Sequence, residues 1–347
     1  MNSTVPFPQK KILQAFNIGA EFEIIQIPTG HINLTFKVMG ADKSFILQRV
    51  NKNIFTTPDR IANNMELAAD HLKKHHPEYL FLGSIKTNGN QEMEYDDEGF
   101  PWRLFPFIED TFTMDSVDTA EQAFSAAQEF ARLTKNLNGV NVTDFEPTLD
   151  RFHDLSWRYE QFENALSNAF PERIEKAKNA IEQASRFAYL VDEYETLIAS
   201  GDLVPRVMHN DTKINNILFN KNTNKAVCVI DLDTLMPGYF IYDVGDMIRT
   251  FVSPVSEEES DVSKIEIRES ILTALTEGYL SQMGTVLTEK EKTLIPFAGM
   301  MMTCIMGLRF LADFLNSDVY YHTTYPGQNL VRATNQFYFL DLLAKRN

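Results

Sequence analysis

The residues with the most chemistry in them lie in two short runs. One is Val207-Met208-His209-Asn210-Asp211-Thr212-Lys213-Ile214-Asn215-Asn216-Ile217-Leu218-Phe219, and the other is Val229-Ile230-Asp231-Leu232-Asp233. The spacing His-x-Asp-x-Lys-x-x-Asn, followed by Ile-Asp on a returning strand, suits transfer of a phosphoryl group. An attacking hydroxyl needs a carboxylate that orients it and takes its proton, and Asp211 on a short loop meets that need. Mg²⁺ takes hard oxygen ligands, which Asn216 and Asp231 offer from opposite arms of the hairpin. Lys213 would stand where positive charge offsets the charge developing on the moving group. His209, just after an apolar strand, reads as a strut for the loop rather than as a base. Asp233 follows Asp231 by two residues on what reads as one strand, hence on the same face, as a metal ligand or as a support for one. Asp and Asn between strands are also turn formers, but a lone pair of them would not repeat this ordered set.

These runs sit inside a helical part of the chain. Ahead of it, Phe22–Ile27, Leu34–Met39 and Ser44–Val50 read as strands, with Gly40-Ala41-Asp42 turning between the last two. Ile61–Leu72 carries apolar residues at helical spacing, and Glu92–Tyr95 and Trp102–Ile108 are further strands. Thr119-x-x-Gln122 is a capping box opening a helix over Ala120–Asn136. Trp157–Ala169 and Arg173–Ser200 read as helices, the second long enough to break. Asn216–Phe219 and Ala226–Leu232 are short strands about the turn Asn220-Lys221-Asn222-Thr223-Asn224. Helices resume over Lys264–Met283, Glu289–Leu315 and Asn329–Lys345. A β-rich front and a large helical rear with one embedded hairpin make an α+β chain, divided near residue 105 into lobes 1–105 and 106–347.

Composition narrows the partners. The 347 residues hold 32 Lys+Arg against 48 Asp+Glu, a formal charge of −16. Such a chain lacks the basic footprint of a nucleic-acid binder, and an anionic membrane would repel it. The two cysteines, Cys228 and Cys304, form no disulfide framework and no zinc pattern. The most apolar window, Ile295 to Leu315, is interrupted by Arg309 and Asp313, which reads as a buried core helix rather than a span. With no charged leader ahead of an apolar stretch, the expected location is the cytoplasm.

The run HNDTKINN followed by VIDLD resembles the catalytic loop and metal strand of the aminoglycoside phosphotransferase and choline kinase group, which has the protein-kinase-like fold. Further blocks resemble bacterial N-acetylhexosamine 1-kinases: GHINLTF (30–36), FILQRVN (45–51), WRLFPFIE (102–109), HNDTKINNILF (209–219), VIDLDTLMPG (229–238), YDVGDMIR (242–249) and GLRFLADFLNSDVYY (307–321). They keep their order over most of the chain. The resemblance implies a bilobal protein-kinase-like fold, use of ATP and Mg²⁺, and phosphorylation of the anomeric hydroxyl of an N-acetylhexosamine. Choline, homoserine, another sugar or an aminoglycoside as acceptor, or a nucleotide-binding pseudokinase without turnover, are the alternatives.

The resemblance also implies roles. Gly30-His31-Ile32-Asn33 would cover the ATP phosphates, with His31 and Asn33 at hand, though one glycine is equally an ordinary hairpin turn. The third strand of such kinases offers a cation to the phosphates, paired with a helix Glu. Here Phe45-Ile46-Leu47-Gln48-Arg49 has no Lys, so Arg49 with Glu66 is the natural substitute, with Gln48 as the other inward candidate. Phe105-Pro106-Phe107 would be the hinge beside adenine. Asp211, Arg309 and Tyr320 would hold the sugar. Arg309 in an apolar helix needs a partner or a polar cavity, and Asp313 one turn later is the structural partner to weigh. Asp243 and Asp246, in a Gly-containing turn before a helix, read as loop organisers.

Overall fold

The computed structural model describes residues 7–28 and 32–346. A short helix, α1 (Lys10–Ala15), precedes the antiparallel run β1 (Glu23–Ile27), β2 (Leu34–Met39) and β3 (Ser44–Arg49). After α2 (Pro58–His75), β4 (Glu94–Tyr95) and β5 (Pro101–Pro106) complete a five-stranded sheet in the order β1-β2-β3-β5-β4. Side chains alternate across a strand, so the sheet sorts its residues by face. Phe36, Val38, Leu47, Trp102 and Leu104 are buried with Ile12, Phe16 and Ile18 in a small core. The alternate residues Thr35, Lys37, Ile46, Gln48, Arg103 and Phe105 occupy the opposite face, with Gln48 directly opposite Arg103 on the neighbouring strand. Ile61, Met65, Ala68 and Leu72 of α2 form a helical stripe that joins the larger core instead.

Beyond β5 the chain is mostly helical. β6 (Thr111–Phe112) leads into α3 (Ala120–Asn136), which starts on the Thr119–Gln122 capping box. Then come α4 (Leu155–Asn168), α5 (Pro171–Lys176), α6 (Lys178–Arg186) and α7 (Tyr189–Ser200). Four short strands follow: β7 (Arg206–Met208), β8 (Ile217–Asn220), β9 (Ala226–Val229) and β10 (Met236–Gly238). They form two small sheets, β6-β8-β9 and β10-β7. The rear closes with α8 (Phe240–Phe251), α9 (Glu269–Met283), α10 (Glu289–Thr293), α11 (Ile295–Leu315) and α12 (Gln328–Arg346). Among the described residues only α11 is long and apolar enough to cross a membrane, and 83% of its apolar window is buried in the fold. It is a core helix packed on α4, α8 and α12.

Several expected elements change at their ends. The long helix over 173–200 breaks into three at Ala177 and at Phe187–Ala188, where the buried Ala177 and Phe187 turn into the core. Pro296 in the first turn of α11 separates it from α10. The strand expected over 226–232 stops at Val229, so Asp231 and Asp233 do not share a strand face: Asp231 has φ 58, and Leu232–Thr234 is a 3₁₀ turn. Asp243 and Asp246 lie within α8, not before it.

Helices α8 and α11 approach closely at Gly245, where a Cβ would overlap the Ala298 carbonyl and the Met302 side chain. Because α8 carries Asp243, this contact bears on the loop described below. Gly245→Ala should cost about 1–3 kcal/mol in urea denaturation. An unchanged midpoint would show that the two helices can separate freely.

Candidate active site

The loop after β7 is built by hydrogen bonds that fix its backbone before any side chain acts. Asn210 adopts the left-handed region at φ 65, which Asn tolerates better than most residues. Its side-chain amide donates to the carbonyls of Met208 (3.0 Å), Thr234 (2.9 Å) and Met236 (3.2 Å), tying β7 to the segment entering β10. The Asp243 carboxylate accepts the N–H groups of His209 (3.1 Å) and Asn210 (2.7 Å). Burial outweighs those two bonds and pushes the Asp243 carboxyl up to about 7. His153, just ahead of α4, donates from Nε2 to the Asn210 carbonyl at 2.7 Å.

His209 is buried, and its two ring nitrogens are both used. Nε2–H donates to the Ile230 carbonyl at 3.0 Å, and Nδ1 accepts the Asp211 N–H at 3.2 Å. Burial lowers its pKa, so the ring is neutral and braces the loop to the returning strand. It has no nitrogen left for proton transfer.

Asp211 projects from this brace. Its Oδ1 pairs with Lys213 Nζ at 3.0 Å, and its Oδ2 accepts from Asn216 Nδ2 at 3.1 Å. Burial acts against ionisation, but the charge and hydrogen bond of Lys213, with the hydrogen bond of Asn216, hold the carboxyl below its usual value. Asp211 is therefore a carboxylate across the neutral range, and Lys213 is held protonated by it in turn. A carboxylate of low basicity orients a hydroxyl well. It need only accept a proton late in a loose phosphoryl-transfer transition state.

Asn216 spends its amide hydrogens on Asp211, at the backbone carbonyl (2.8 Å) as well as the carboxylate, which turns its Oδ1 the other way. The Asp231 side chain is exposed at the start of the 3₁₀ turn, with no hydrogen bond or ion pair to a described residue. Loss of water and the nearby carboxylates of Asp233 and Asp211 push its pKa up to about 7. Such crowding of like charge is what a divalent cation relieves. No group of three His, Cys, Asp or Glu suited to a metal exists among the described residues. Asn216 and Asp231 would form a two-point oxygen site that needs further oxygens from a ligand, which fits Mg²⁺ held together with phosphates.

Of the two roles open to Asp233, metal ligand or support for one, its contacts favour support. Its carboxylate accepts from Asn33 Nδ2 at 2.7 Å and forms an ion pair with Arg103, and it is 3% exposed. With both oxygens held by protein groups, it supports the turn that carries Asp231. Arg103 also donates to Gln48 Oε1 (3.1 and 2.7 Å), and Gln48 donates to Thr35 at 3.2 Å. Asn33 lies at this junction, its Oδ1 accepting the Asn51 N–H at 3.0 Å. His31 lies outside the described residues.

The expected Arg49–Glu66 pair does not form. Arg49 is on the far side of the sheet, bound to Asp96 and Glu98 at 2.7 Å each, because it stands opposite Trp102 in the register. Glu66 binds Lys86 at 2.8 Å on the surface of α2. Gln48 is the third-strand residue on the cleft face, and the cation beside it is Arg103 of β5. A charge inside the apolar strand Trp102-Arg103-Leu104-Phe105 was the available signal for Arg103. Phe105 is paired with Ile46, and the Phe107 N–H is held by Ser44 at 3.1 Å, with Lys37 3.8 Å above its ring. The two phenylalanines thus bracket the crossing from the front sheet to β6.

Arg309 on α11 makes no ion pair with Asp313. Its guanidinium lies over the rings of Phe152 (5.3 Å) and Tyr321 (5.5 Å), with Met306 Sδ at 3.6 Å. The buried Asp313 instead accepts the N–H groups of Val319 (3.0 Å), Tyr320 (2.8 Å) and Tyr321 (2.9 Å). One carboxylate thereby shapes the segment that presents Tyr320, whose side chain is exposed. No spacing pattern in the sequence marks this role of Asp313, nor that of His153.

The Asp211–Lys213–Asn216 contacts lie between a β-rich front and a helical rear, the arrangement expected of a phosphotransferase. The model of the phosphotransferase enzyme family (APH) matches residues 23–269, and the chain belongs to that family. The fold is the protein-kinase-like fold of this group. An amicoumacin kinase in complex with AMP-PNP, Ca²⁺ and Ami is 13% identical, with TM-score 0.64, covering 96% of this chain and 92% of that one. A microcompartment-associated aminopropanol kinase is 15% identical, with TM-score 0.65, covering 97% and 96%. An aminoglycoside phosphotransferase from Alicyclobacillus acidocaldarius subsp. acidocaldarius DSM 446 is 12% identical, with TM-score 0.65, covering 99% and 97%.

The loop's support has a pH signature. Burial depresses the pKa of His153 from 6.5 to about 4, so the folded protein resists a proton that the unfolded chain accepts. The neutral ring contributes fully above pH 6.5, and its contribution is lost as pH falls through about 4. Unfolding free energy should therefore decline over that window with an added slope of up to about 1.4 kcal/mol per pH unit. His153→Asn should remove this component, and equal slopes in both proteins would contradict it.

Proposed function

We propose that the protein is an ATP- and Mg²⁺-dependent small-molecule kinase that phosphorylates the anomeric hydroxyl of an N-acetylhexosamine. The observation that carries the reaction class is the Asp211–Asn216–Asp231 set on a loop whose backbone is fixed by Asp243, Asn210 and His209. The acceptor hydroxyl donates its hydrogen bond to the Asp211 carboxylate, its oxygen bonds to the γ-phosphorus, and the bond from phosphorus to the bridging oxygen of ADP breaks. Asp211 receives the proton as the new bond forms. Mg²⁺, when bound by Asn216 and Asp231, would neutralise charge on the phosphates. Lys213 keeps positive charge beside the path of transfer.

The nucleotide would lie under the cleft face of the front sheet, between Ile46, Phe105 and Phe107, with Arg103 and Gln48 at its inner end. Asn33 approaches the same end from β2. The pseudokinase alternative keeps the absent third-strand lysine in its favour, since the neighbouring cation Arg103 is paired with Asp233; against it stands the Asp211–Asn216–Asp231 set.

The choice of acceptor rests on Arg309 and on the sequence blocks shared with N-acetylhexosamine 1-kinases. A guanidinium without a carboxylate partner disfavours the cationic acceptors of choline or aminopropanol kinases, and it offers several donors to the carbonyl and hydroxyls of an acetylated sugar. Tyr320 and Asp211 complete the proposed sugar contacts. The enzyme acts on a small molecule in the cytoplasm, with no nucleic-acid or membrane partner.

ADP release with N-acetylglucosamine or N-acetylgalactosamine tests this directly, and no release with either sinks the acceptor assignment. Asp211→Asn should lower kcat by roughly 10²- to 10⁴-fold with a native melting temperature. A near-normal kcat would remove Asp211 from the chemistry. Asn216→Ala should raise the Mg²⁺ concentration for half-maximal rate at least ~10-fold, the scale expected when a metal ligand or its support is lost; an unchanged requirement would remove Asn216 from the cation site.

A further inference from the structure

A second guanidinium stands beside Arg309. Arg158 on α4 donates from Nε (3.2 Å) and Nη2 (2.8 Å) to the Phe152 carbonyl, and from Nη1 to Gln161 at 2.8 Å. Arg309 lies over the ring of that same Phe152. The two cations thus share one residue as a wedge, and neither forms an ion pair with a carboxylate of a described residue.

The nearby acids are engaged elsewhere. Asp154 pairs with Arg151 at 2.7 Å and caps α4 through the Trp157 N–H. Asp246 and Glu257 both bind Arg249, at 2.8 and 2.7 Å, while the second Asp246 oxygen is buried with no hydrogen-bond partner among the described residues. Asp313 is spent on the backbone of Val319–Tyr321 and on Asn329. Burial and the charge of Arg309 lower the Arg158 pKa to about 10, as expected for a cation without a counter-charge.

Two buried polar atoms in the same cluster, Tyr321 Oη and His153 Nδ1, also have no hydrogen-bond partner among the described residues. Buried polar groups normally find a partner, so atoms left over beside two spare cations point to a polar ligand. His153 links the cluster to the reacting centre through the Asn210 carbonyl, one residue before Asp211.

We infer that Arg158 is a specificity-determining residue, which with Arg309 makes the acceptor end of the cleft a positively charged subsite that admits neutral or oxygen-rich acceptors and rejects protonated amines. This rests on the proposed kinase reaction and on the acceptor lying at Arg309, and it extends the charge argument made for Arg309 to a second residue, Arg158. It also distinguishes the chain from the aminopropanol kinase it resembles in fold.

The test compares acceptors matched in shape and differing in charge: N-acetylglucosamine, glucose and glucosamine, with ethanolamine as a small cation. The wild type should favour N-acetylglucosamine or glucose over protonated glucosamine by at least ~100-fold in kcat/KM. Arg158→Met should narrow that ratio at least ~10-fold, Arg158→Lys should largely keep it, and both should retain the wild-type KM for ATP. Retention of the charge rule by Lys and its loss in Met is a pattern that a purely structural role would not give. An unchanged ratio in Arg158→Met, or efficient wild-type turnover of glucosamine or ethanolamine, overturns the inference. If glucose is phosphorylated while neither N-acetylhexosamine is, the acceptor assignment fails but the charge rule stands.

Discussion

Asp233 is the point on which the two parts of the molecule converge. Arg103 and Asn33 come from the front sheet, Asp233 comes from the turn after β9, and the ion pair they form is almost wholly buried. Removing one partner of such a pair leaves an uncompensated charge away from water, at a cost of about 3–5 kcal/mol. The pair therefore fixes where the sheet's cleft face sits relative to Asp231, two residues before Asp233. In the proposed reaction a cation on Asp231 and phosphates under the sheet would have to meet in one place, and this junction would set that geometry.

The rear part solves a different problem, which is to hold an irregular loop still. A left-handed Asn210, a neutral His209 and the buried Asp243 pair the loop's backbone with protein groups. That requires α8 to be rigid, and the glycine-mediated contact of α8 with α11 supplies the rigidity. The same α11 carries Arg309 and Asp313, so one buried helix supports the loop after β7 on one side and shapes the segment that presents Tyr320 on the other. The formal charge of −16 is arranged around this plan. Asp96 and Glu98 neutralise Arg49 on the outside of the sheet, and Glu257 neutralises Arg249, while Arg158 and Arg309 keep their charge.

Much of the site was legible because its residues are local in sequence. The set from His209 to Asn216 with Asp231 shows its spacing directly, and the capping box at Thr119 and the core character of Ile295–Leu315 follow from pattern alone. What the sequence hid depends on long-range pairing. Arg49 and Gln48 are adjacent, and only the register against Trp102 and Arg103 decides which one faces the cleft. Asp233 looked like a strand neighbour of Asp231 because a left-handed residue breaks the strand without a glycine to announce it. Arg103, His153, Arg158 and Asp313 act through partners tens to more than a hundred residues away, or through backbone groups that carry no sequence mark.

On the proposed reaction Asp211 directs a sugar's anomeric oxygen onto the γ-phosphate. Phosphorus NMR of the product formed from ATP, Mg²⁺ and N-acetylglucosamine reads this out. Attack by that oxygen gives a new phosphomonoester resonance split by the anomeric proton. A resonance coupled instead to the methylene protons at C6, or inorganic phosphate as the sole product, would contradict it.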